Sequence, residues 1–152
     1  MTFNSEKLLA IVTGSSQGIG KSIKNKLKAE GLTVIGVYRG AKDKEFDKKC
    51  DIRKEVEVKK LVKNIIKEYG KIDILINNAG IVTTSDISKT KLKDWNNVLS
   101  TNLTGPFLLC KHILPYMKKQ RFGKIVNVSS VAARNFSRTA SVEYTASKYG
   151  LI

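Results

Sequence analysis

The sequence is poor in cysteine and in long apolar runs, and each shortage excludes a class of protein. Its two cysteines, Cys50 and Cys110, stand far apart without metal-ligand spacing, so neither a disulfide framework nor a structural zinc site is expected. No apolar run approaches the roughly 20 residues that a membrane-spanning helix needs. The apolar run at residues 8–12 is too short for the core of a signal peptide. We therefore expect a cytoplasmic protein that does not contact a membrane.

Acidic residues are also scarce, since 13 of them face 28 basic residues and leave a net charge of +15. Such a charge raises the question of nucleic acid. The lysines are spread along predicted helix faces rather than gathered in one tract, which indicates a solvated surface, so nucleic acid is not expected as the main partner. An acidic or phosphorylated ligand fits this charge. A length of 152 residues with 41% hydrophobic composition predicts one domain, residues 1–152, with a sizeable core.

Strand-like and helix-like segments alternate along the chain. Short apolar or β-branched runs predict strands at residues 8–13, Thr33–Tyr38, 49–52, 72–76 and 124–128. Helical spacing predicts helices at residues 18–30, Glu55–Tyr69, 92–119 and from Ser141 onward, with Pro106 and Pro115 interrupting or kinking the third. Residues 40–48 are predicted as a loop or one short helix. This order predicts an α/β fold with a doubly wound parallel sheet in three layers, α/β/α, whose ligands bind at the carboxyl ends of the strands.

A glycine-rich turn follows the first predicted strand and opens the first helix. Such a turn lets the backbone approach a pyrophosphate, and the helix N-terminus offers free N–H groups and the positive end of its dipole. The turn reads Thr13-Gly14-Ser15-Ser16-Gln17-Gly18-Ile19-Gly20. It predicts a dinucleotide site formed by Gly14, Ser16, Gln17, Gly18, Ile19 and Gly20. A purely structural turn is the alternative.

Near the other end of the sequence, Tyr144 and Lys148 stand four residues apart in a predicted helix. Side chains at this spacing share one face of a helix. An unperturbed phenol has a pKa of about 10, too high for acid–base work near neutrality, and a nearby cation lowers it. The pair therefore predicts a general acid or base. An exposed Tyr/Lys helix face is the alternative.

Five elements in this order resemble the short-chain dehydrogenase/reductase family. They are the glycine turn, Asn77-Asn78-Ala79-Gly80, Asn102, Asn127-Val128-Ser129-Ser130, and the pair Tyr144 and Lys148. The resemblance implies a Rossmann-type fold that binds a nicotinamide dinucleotide and uses no metal. It implies an enzyme that transfers a hydride between nicotinamide and a small carbonyl or alcohol substrate.

The resemblance also implies a role for each catalytic candidate. Tyr144 gives a proton to a carbonyl oxygen or removes one from an alcohol, and Lys148 lowers the phenol pKa and binds the nicotinamide ribose. Ser130 holds the substrate oxygen. The spacing from Ser130 to Tyr144 is one residue longer than expected, so Ser129 is the alternative. Asn102 fixes a water that relays protons to Lys148.

On the cofactor side, the resemblance implies that Asn78, Ala79 and Gly80 line the adenine and ribose side of the dinucleotide. It also implies that Asp51, with Ile52 beside it, caps the adenine amino group. A solvated turn is the alternative for Asp51. At the end of the second strand, Tyr38 stands where an NAD-selective carboxylate is expected, and Arg39 follows it. A guanidinium suits a 2′-phosphate, so NADP is preferred and NAD remains possible. Gln17 weakens this preference, and Arg39 as a surface residue is the alternative.

The resemblance covers only part of the family fold, because it ends just after Lys148. Family members continue through two more strands and a segment that covers the substrate, so we expect these C-terminal strands to be missing and the fifth strand to lie at an open edge. A homo-oligomer is expected for a full-length form. The alternative to an enzyme is a truncated, non-catalytic nucleotide-binding or assembly subunit.

Overall fold

Five parallel strands form one sheet in a computed structural model that describes residues 7–40, 47–134 and 140–152. The strands are β1 (Leu9–Thr13), β2 (Thr33–Tyr38), β3 (Asp47–Lys49), β4 (Ile74–Asn77) and β5 (Lys124–Asn127). The helices are α1 (Gly18–Ala29), α2 (Glu55–Tyr69), α3 (Leu92–Leu99), α4 (Gly105–Lys119) and α5 (Val142–Tyr149). Short 3-10 helices at Ile87–Lys89 and Val131–Ala133 were not predicted. The strand order is β3-β2-β1-β4-β5, which confirms the predicted parallel α/β fold.

The core lies on both faces of the central strand β1, all of whose residues are buried. Successive side chains of a strand point to opposite faces. Leu9 and Ile11 accordingly belong to a cluster packed with α2 and α4, whereas Ala10 and Val12 pack on the other side with Ile23 of α1. These two clusters give the three layers that the alternating apolar pattern predicts.

The third strand lies earlier in the chain than predicted. Its residues are polar, and it exists because Asp47 pairs with Gly36 and Lys49 with Tyr38 of β2. The strand predicted at residues 49–52 is therefore wrong after Lys49, and residues 47–48 are not in a loop. Residues 41–46 of the predicted loop lie outside the described residues. The other predicted strands and helices, apart from the third helix, agree with the structure within about two residues at each end.

The predicted third helix is continuous in direction but changes type in the middle. A π-helical turn at Ser100–Thr104 connects α3 to α4, and the backbone N–H of Gly105 donates to the carbonyl of Ser100. Pro106 follows at the start of α4, where an ordinary α-helix would press its ring against the carbonyl four residues earlier, that of Asn102. The wider turn relieves this clash, so Pro106 changes the helix type rather than interrupting it. Pro115 lies inside α4.

The strand order reverses between β1 and β4, because β2 and β3 lie to one side of this pair and β5 to the other. Ligands of open parallel sheets bind outside the carboxyl ends of the strands at such a switch point. The loops that follow β1 and β4 carry the glycine turn and the residues Asn78, Ala79 and Gly80. Among the described helices none is long and apolar enough to cross a bilayer.

Candidate active site

The glycine turn owes its path to close approaches that a side chain would prevent. Gly14 has a left-handed backbone, with φ of 66°, and its N–H donates to the Val37 carbonyl at 2.8 Å. A Cβ atom on Gly14 would lie 2.8 Å from the Cα atom of Ala79. A Cβ atom on Gly20 would lie 2.4 Å from both Asn78 Nδ2 and the carbonyl oxygen of Gly14. Glycine at both positions lets the loop after β4 pack against the turn.

Thr13 joins the two loops at the switch point, although the sequence analysis gave it no role beyond its place in the motif. Its buried hydroxyl accepts hydrogen bonds from the backbone N–H groups of Asn78 and Ala79, both at 3.0 Å. In return the side-chain amide of Asn78 donates to the Thr13 carbonyl at 2.9 Å. The signal for this role was a hydroxyl at the end of a buried strand, because buried polar groups need partners.

A cavity of about 1020 Å³ lies above this switch point. All predicted cofactor residues outside α5 line it: Gly14, Ser16, Gln17, Gly18, Ile19, Gly20, Arg39, Asp51, Ile52, Asn78, Ala79 and Gly80. Tyr144 and Lys148 are not among the lining residues. Ser15, which the sequence analysis left out of the site, also lines the cavity, and its buried hydroxyl has no partner in the described part of the chain.

The shape of the turn fits a dinucleotide. Gly18 has a φ of 55°, and a Cβ atom there would meet no heavy atom within 4 Å, so this part of the backbone faces open space. No side chain caps the N-terminus of α1 at Gln17, and no acidic residue stands in its first turn. The free N–H groups and the helix dipole can therefore receive a pyrophosphate.

Charged side chains gather at the end of the cavity near β2 and β3. Asp51 is held by Arg53, and this hydrogen bond, more than the nearby charge of Arg39, keeps the pKa of Asp51 below its ordinary value. Arg39 is exposed on the cavity wall, whereas Tyr38 is buried. Lys24 of α1 and Asp47 of β3 form a largely buried ion pair on the same wall, which the sequence analysis did not predict.

The predicted acid–base pair lies on one side of α5. The Lys148 ammonium is 5.9 Å from the centre of the Tyr144 ring and donates to the Val128 carbonyl at 2.8 Å. Lys148 is buried, and burial lowers its pKa below the ordinary value. A Cβ atom on Gly80 would lie 3.4 Å from both Lys148 Nζ and Asn102 Oδ1. Gly80 therefore connects the cavity to α5.

Asn102 is fully buried in the π turn and holds two other elements together. Its Oδ1 accepts from the Ile81 N–H at 2.8 Å, and its Nδ2 donates to the Ile81 carbonyl at 2.9 Å. The same Nδ2 donates to the Ser147 hydroxyl of α5 at 3.0 Å. Ser147 was not predicted, because only the folded chain shows which face of α5 meets the π turn.

The two candidate serines differ in what their hydroxyls do. Ser129 donates to the Lys148 carbonyl at 2.8 Å and so links the end of β5 to α5. Ser130 caps the 3-10 helix that follows it, since its hydroxyl oxygen accepts from the Ala132 N–H at 3.2 Å. The Ser130 O–H donates to no acceptor in the described part of the chain, which leaves that proton for a ligand.

Glu143 is a buried carboxylate next to Tyr144 that the sequence analysis missed. It accepts a hydrogen bond from the Thr83 hydroxyl, which also lies 2.7 Å from Ser141 Oγ. Burial raises the pKa of Glu143, but hydrogen bonds from Thr83, from its own N–H and from Ser141 outweigh this and hold it below the ordinary value. These contacts fasten the start of α5 to the loop after β4. In the sequence, Glu143 looks like an exposed residue of a first helical turn.

Comparison with known proteins gives the family. A family model described as short chain dehydrogenase matches residues 8–152. The chain belongs to this family. Within the described ranges, no group of three or more His, Cys, Asp or Glu residues is placed to bind a metal ion.

Two relatives and one solved structure show how much of the family this chain spans. It is 34% identical to the 3-oxoacyl-(acyl-carrier-protein) reductase FabG of Staphylococcus epidermidis, over 94% of this chain and 64% of that protein. The FabG of Salmonella typhimurium is also 34% identical, over 97% of this chain and 64% of that protein. The ligand-free aldohexose dehydrogenase of Thermoplasma acidophilum superposes with a TM-score of 0.90 at 35% identity, over 97% of this chain and 58% of that one. This chain therefore spans less than two thirds of these relatives.

Proposed function

We propose that residues 1–152 form a nicotinamide-dinucleotide-binding domain that carries the acid–base machinery of an oxidoreductase. Its substrate is a small molecule with a carbonyl or alcohol group. One observation carries the proposal: the buried Lys148 ammonium lies beside Tyr144 and also beside Gly80, a lining residue of the cavity. The names of the relatives, a 3-oxoacyl reductase and an aldohexose dehydrogenase, support this substrate class.

The residues that would hold the cofactor follow the cavity from end to end. The turn from Gly14 to Gly20 and the N-terminus of α1 receive the pyrophosphate. Asp51 and Ile52 contact the adenine, and Lys148 binds the ribose of the nicotinamide. Arg39 pairs with a 2′-phosphate, since a guanidinium matches phosphate geometry and no carboxylate stands at the end of β2. We therefore propose NADP as the preferred cofactor, with NAD as the alternative.

Tyr144 is proposed as the proton donor to the carbonyl oxygen and, in the reverse direction, as the base that accepts the alcohol proton. When bound, the cofactor supplies or accepts the hydride. The ammonium of Lys148 attracts the negative charge that develops on the phenol oxygen when its proton leaves. Its burial strengthens this effect, because two groups in a water-poor site interact more strongly than in solvent.

Ser130 and Asn102 have supporting roles in this proposal. Ser130 donates its free hydroxyl proton to the substrate oxygen and orients it toward Tyr144. Asn102 has a backbone carbonyl that Pro106 cannot bond, because proline has no N–H. In this proposal the carbonyl binds a water that relays protons to Lys148. A homo-oligomer is proposed for the full-length form.

The proposal is tested by NADPH and NADH oxidation with a panel of ketones and aldehydes, followed by absorbance. The 152-residue chain is assayed beside any longer product of the same gene in which the chain continues past Ile152. We expect turnover with NADPH in at least the longer product. Cofactor binding without turnover in both would favour a non-catalytic nucleotide-binding or assembly subunit. The absence of binding in both would contradict the proposal.

A further inference from the structure

Arg53 lies at the adenine end of the cavity and takes no part in the chemistry above. Its side chain is 29% exposed and lines the cavity beside Asp51. Arg53 Nε donates to Asp51 Oδ1 at 2.8 Å, and Nη2 donates to Oδ2 at 2.6 Å. The planar guanidinium therefore holds both oxygens of one carboxylate, which fixes the rotation of that carboxylate more tightly than a single contact.

The guanidinium is itself held by a second helix. Arg53 Nη1 donates to Asn97 Oδ1 of α3 at 2.6 Å, and the Asn97 carbonyl accepts from Thr101 Oγ1 in the π turn at 2.8 Å. On the other side of the segment, Glu57 Oε2 accepts from the Asp51 N–H at 2.8 Å. Both ends of the Arg53–Asp51 pair are thus attached to helices, and the pair cannot rotate freely.

These contacts leave Asp51 with one defined acceptor site. A carboxylate has about four lone-pair sites. Arg53 fills both sites of Oδ1, because its backbone N–H donates there at 3.2 Å in addition to Nε, and it fills one site of Oδ2. The second site of Oδ2 has no donor in the described part of the chain. A ligand that reaches Asp51 therefore finds an acceptor with a fixed direction.

We propose that Arg53 is a positioning residue that aims the free Oδ2 site of Asp51 at the base of the dinucleotide and so makes the site selective for a 6-amino purine over a 6-oxo purine. The inference rests on the proposed function, in which Asp51 caps the adenine amino group, and adds the part that Arg53 plays in that contact. An ionised carboxylate only accepts hydrogen bonds, so it attracts the amino group and repels a carbonyl oxygen at the same position. Asp51 is an ionised acceptor at neutral pH, and the hydrogen bonds from Arg53 hold its pKa below the ordinary value.

A purely structural role for Arg53 predicts a different result. If Arg53 only tied Asp51 to α3, its loss would lower the stability of the fold and weaken every dinucleotide alike. The ratio of two dissociation constants, for dinucleotides that differ only at the purine 6-position, separates the two roles. The probes are NADP and its deaminated analogue, nicotinamide hypoxanthine dinucleotide phosphate, titrated calorimetrically into the 152-residue chain.

We expect the wild type to prefer NADP by about tenfold, the value of one charge-assisted hydrogen bond. In Arg53→Met the preference should fall to within about twofold of unity, with circular dichroism and melting confirming the fold. Arg53→Lys keeps the positive charge but cannot hold both carboxylate oxygens of Asp51 at once, and should lose most of the preference for NADP. Lys59→Met is the matched control, because it removes one positive charge from an exposed position of α2 outside the cavity lining, and should keep the wild-type ratio.

If folded Arg53→Met keeps the wild-type ratio of the two dissociation constants, the inference is overturned. If Arg53→Met does not fold, the same result in Arg53→Lys overturns it. A wild type that binds both dinucleotides equally also overturns it, because no preference then exists for Arg53 to set. Failure of the proposed function is recognised separately, since the wild type then binds neither dinucleotide.

Discussion

The Lys148 ammonium lies 5.9 Å from the centre of the Tyr144 ring, one helical turn away, and its hydrogen-bond acceptor is the carbonyl oxygen of Val128. A neutral carbonyl offsets less of the cost of burying a charge than a carboxylate would. Burial accordingly lowers the pKa of Lys148. The site thus keeps a desolvated cation beside the phenol at a cost in stability, an arrangement that the proposed proton transfer would use.

Replacing this lysine should stabilise the fold. We expect Lys148→Met to raise the free energy of unfolding by about 1 kcal/mol at neutral pH and to abolish hydride transfer. The folded pKa lies below the ordinary 10.5, so the cost of the charge is present at low pH and disappears as the pH rises from the folded pKa to 10.5. The advantage of the variant should shrink over that range.

Urea unfolding at neutral and alkaline pH measures this difference. Lys119→Met, at an exposed position of α4, is the control and should leave stability unchanged at both pH values. A Lys148→Met chain that is less stable than the wild type at neutral pH would contradict the assignment of Lys148 as a costly buried charge.

Arg39 should determine the choice between the two dinucleotides. We expect Arg39→Glu to weaken NADP binding by about 10- to 100-fold, because it removes a charge-assisted hydrogen bond and adds repulsion of the 2′-phosphate. NAD binding should weaken little or improve, since a carboxylate suits a ribose 2′-hydroxyl. Dissociation constants for both dinucleotides test this. Arg121→Glu makes the same charge change outside the cavity lining and should leave the ratio unaltered.

Removing the Thr13 hydroxyl should lower the free energy of unfolding more than removing its methyl group. Thr13→Val keeps the shape but leaves the Ala79 N–H without its acceptor and the Asn78 N–H with only the Ile76 carbonyl, so we expect a loss of about 2 kcal/mol in the free energy of unfolding and weaker dinucleotide binding. Thr13→Ser keeps the hydroxyl and should lose only about 1 kcal/mol. Equal losses in the two variants, measured by urea unfolding, would show that the hydroxyl does not join the loops.

The ion pair of Lys24 and Asp47 should behave as a buried pair. We expect Asp47→Asn to cost about 3 kcal/mol, because it leaves the ammonium buried without its counter-charge. The double variant with Lys24→Met should recover much of this loss, since an apolar side chain then replaces the unpaired charge. Urea unfolding of the two single variants and the double variant gives the coupling energy. A coupling near zero would mean that the pair does not form in solution.

Local pattern was sufficient where burial alone decides the structure. The apolar strand Thr33–Tyr38 and the amphipathic helix Glu55–Tyr69 have the bounds that their residues predict. Strand β3 was misplaced because its polar residues are held by pairing with β2, a partner distant in sequence. The motifs predicted which loops line the cavity. They did not predict the contacts of Glu143 and Ser147, because the partners of a buried polar side chain depend on how the helices pack.

Tyr144→Phe tests most directly the central claim that Tyr144 is the proton donor. The change removes one hydroxyl and leaves the residues that line the cavity in place. The measurement is the rate of NADPH oxidation with a reactive carbonyl substrate, together with the NADPH dissociation constant, in the longest active product of the gene. We predict a fall in rate of at least about 100-fold, the usual contribution of a general acid. The dissociation constant should stay within about twofold of the wild-type value. A variant that oxidises NADPH at the wild-type rate would contradict the account.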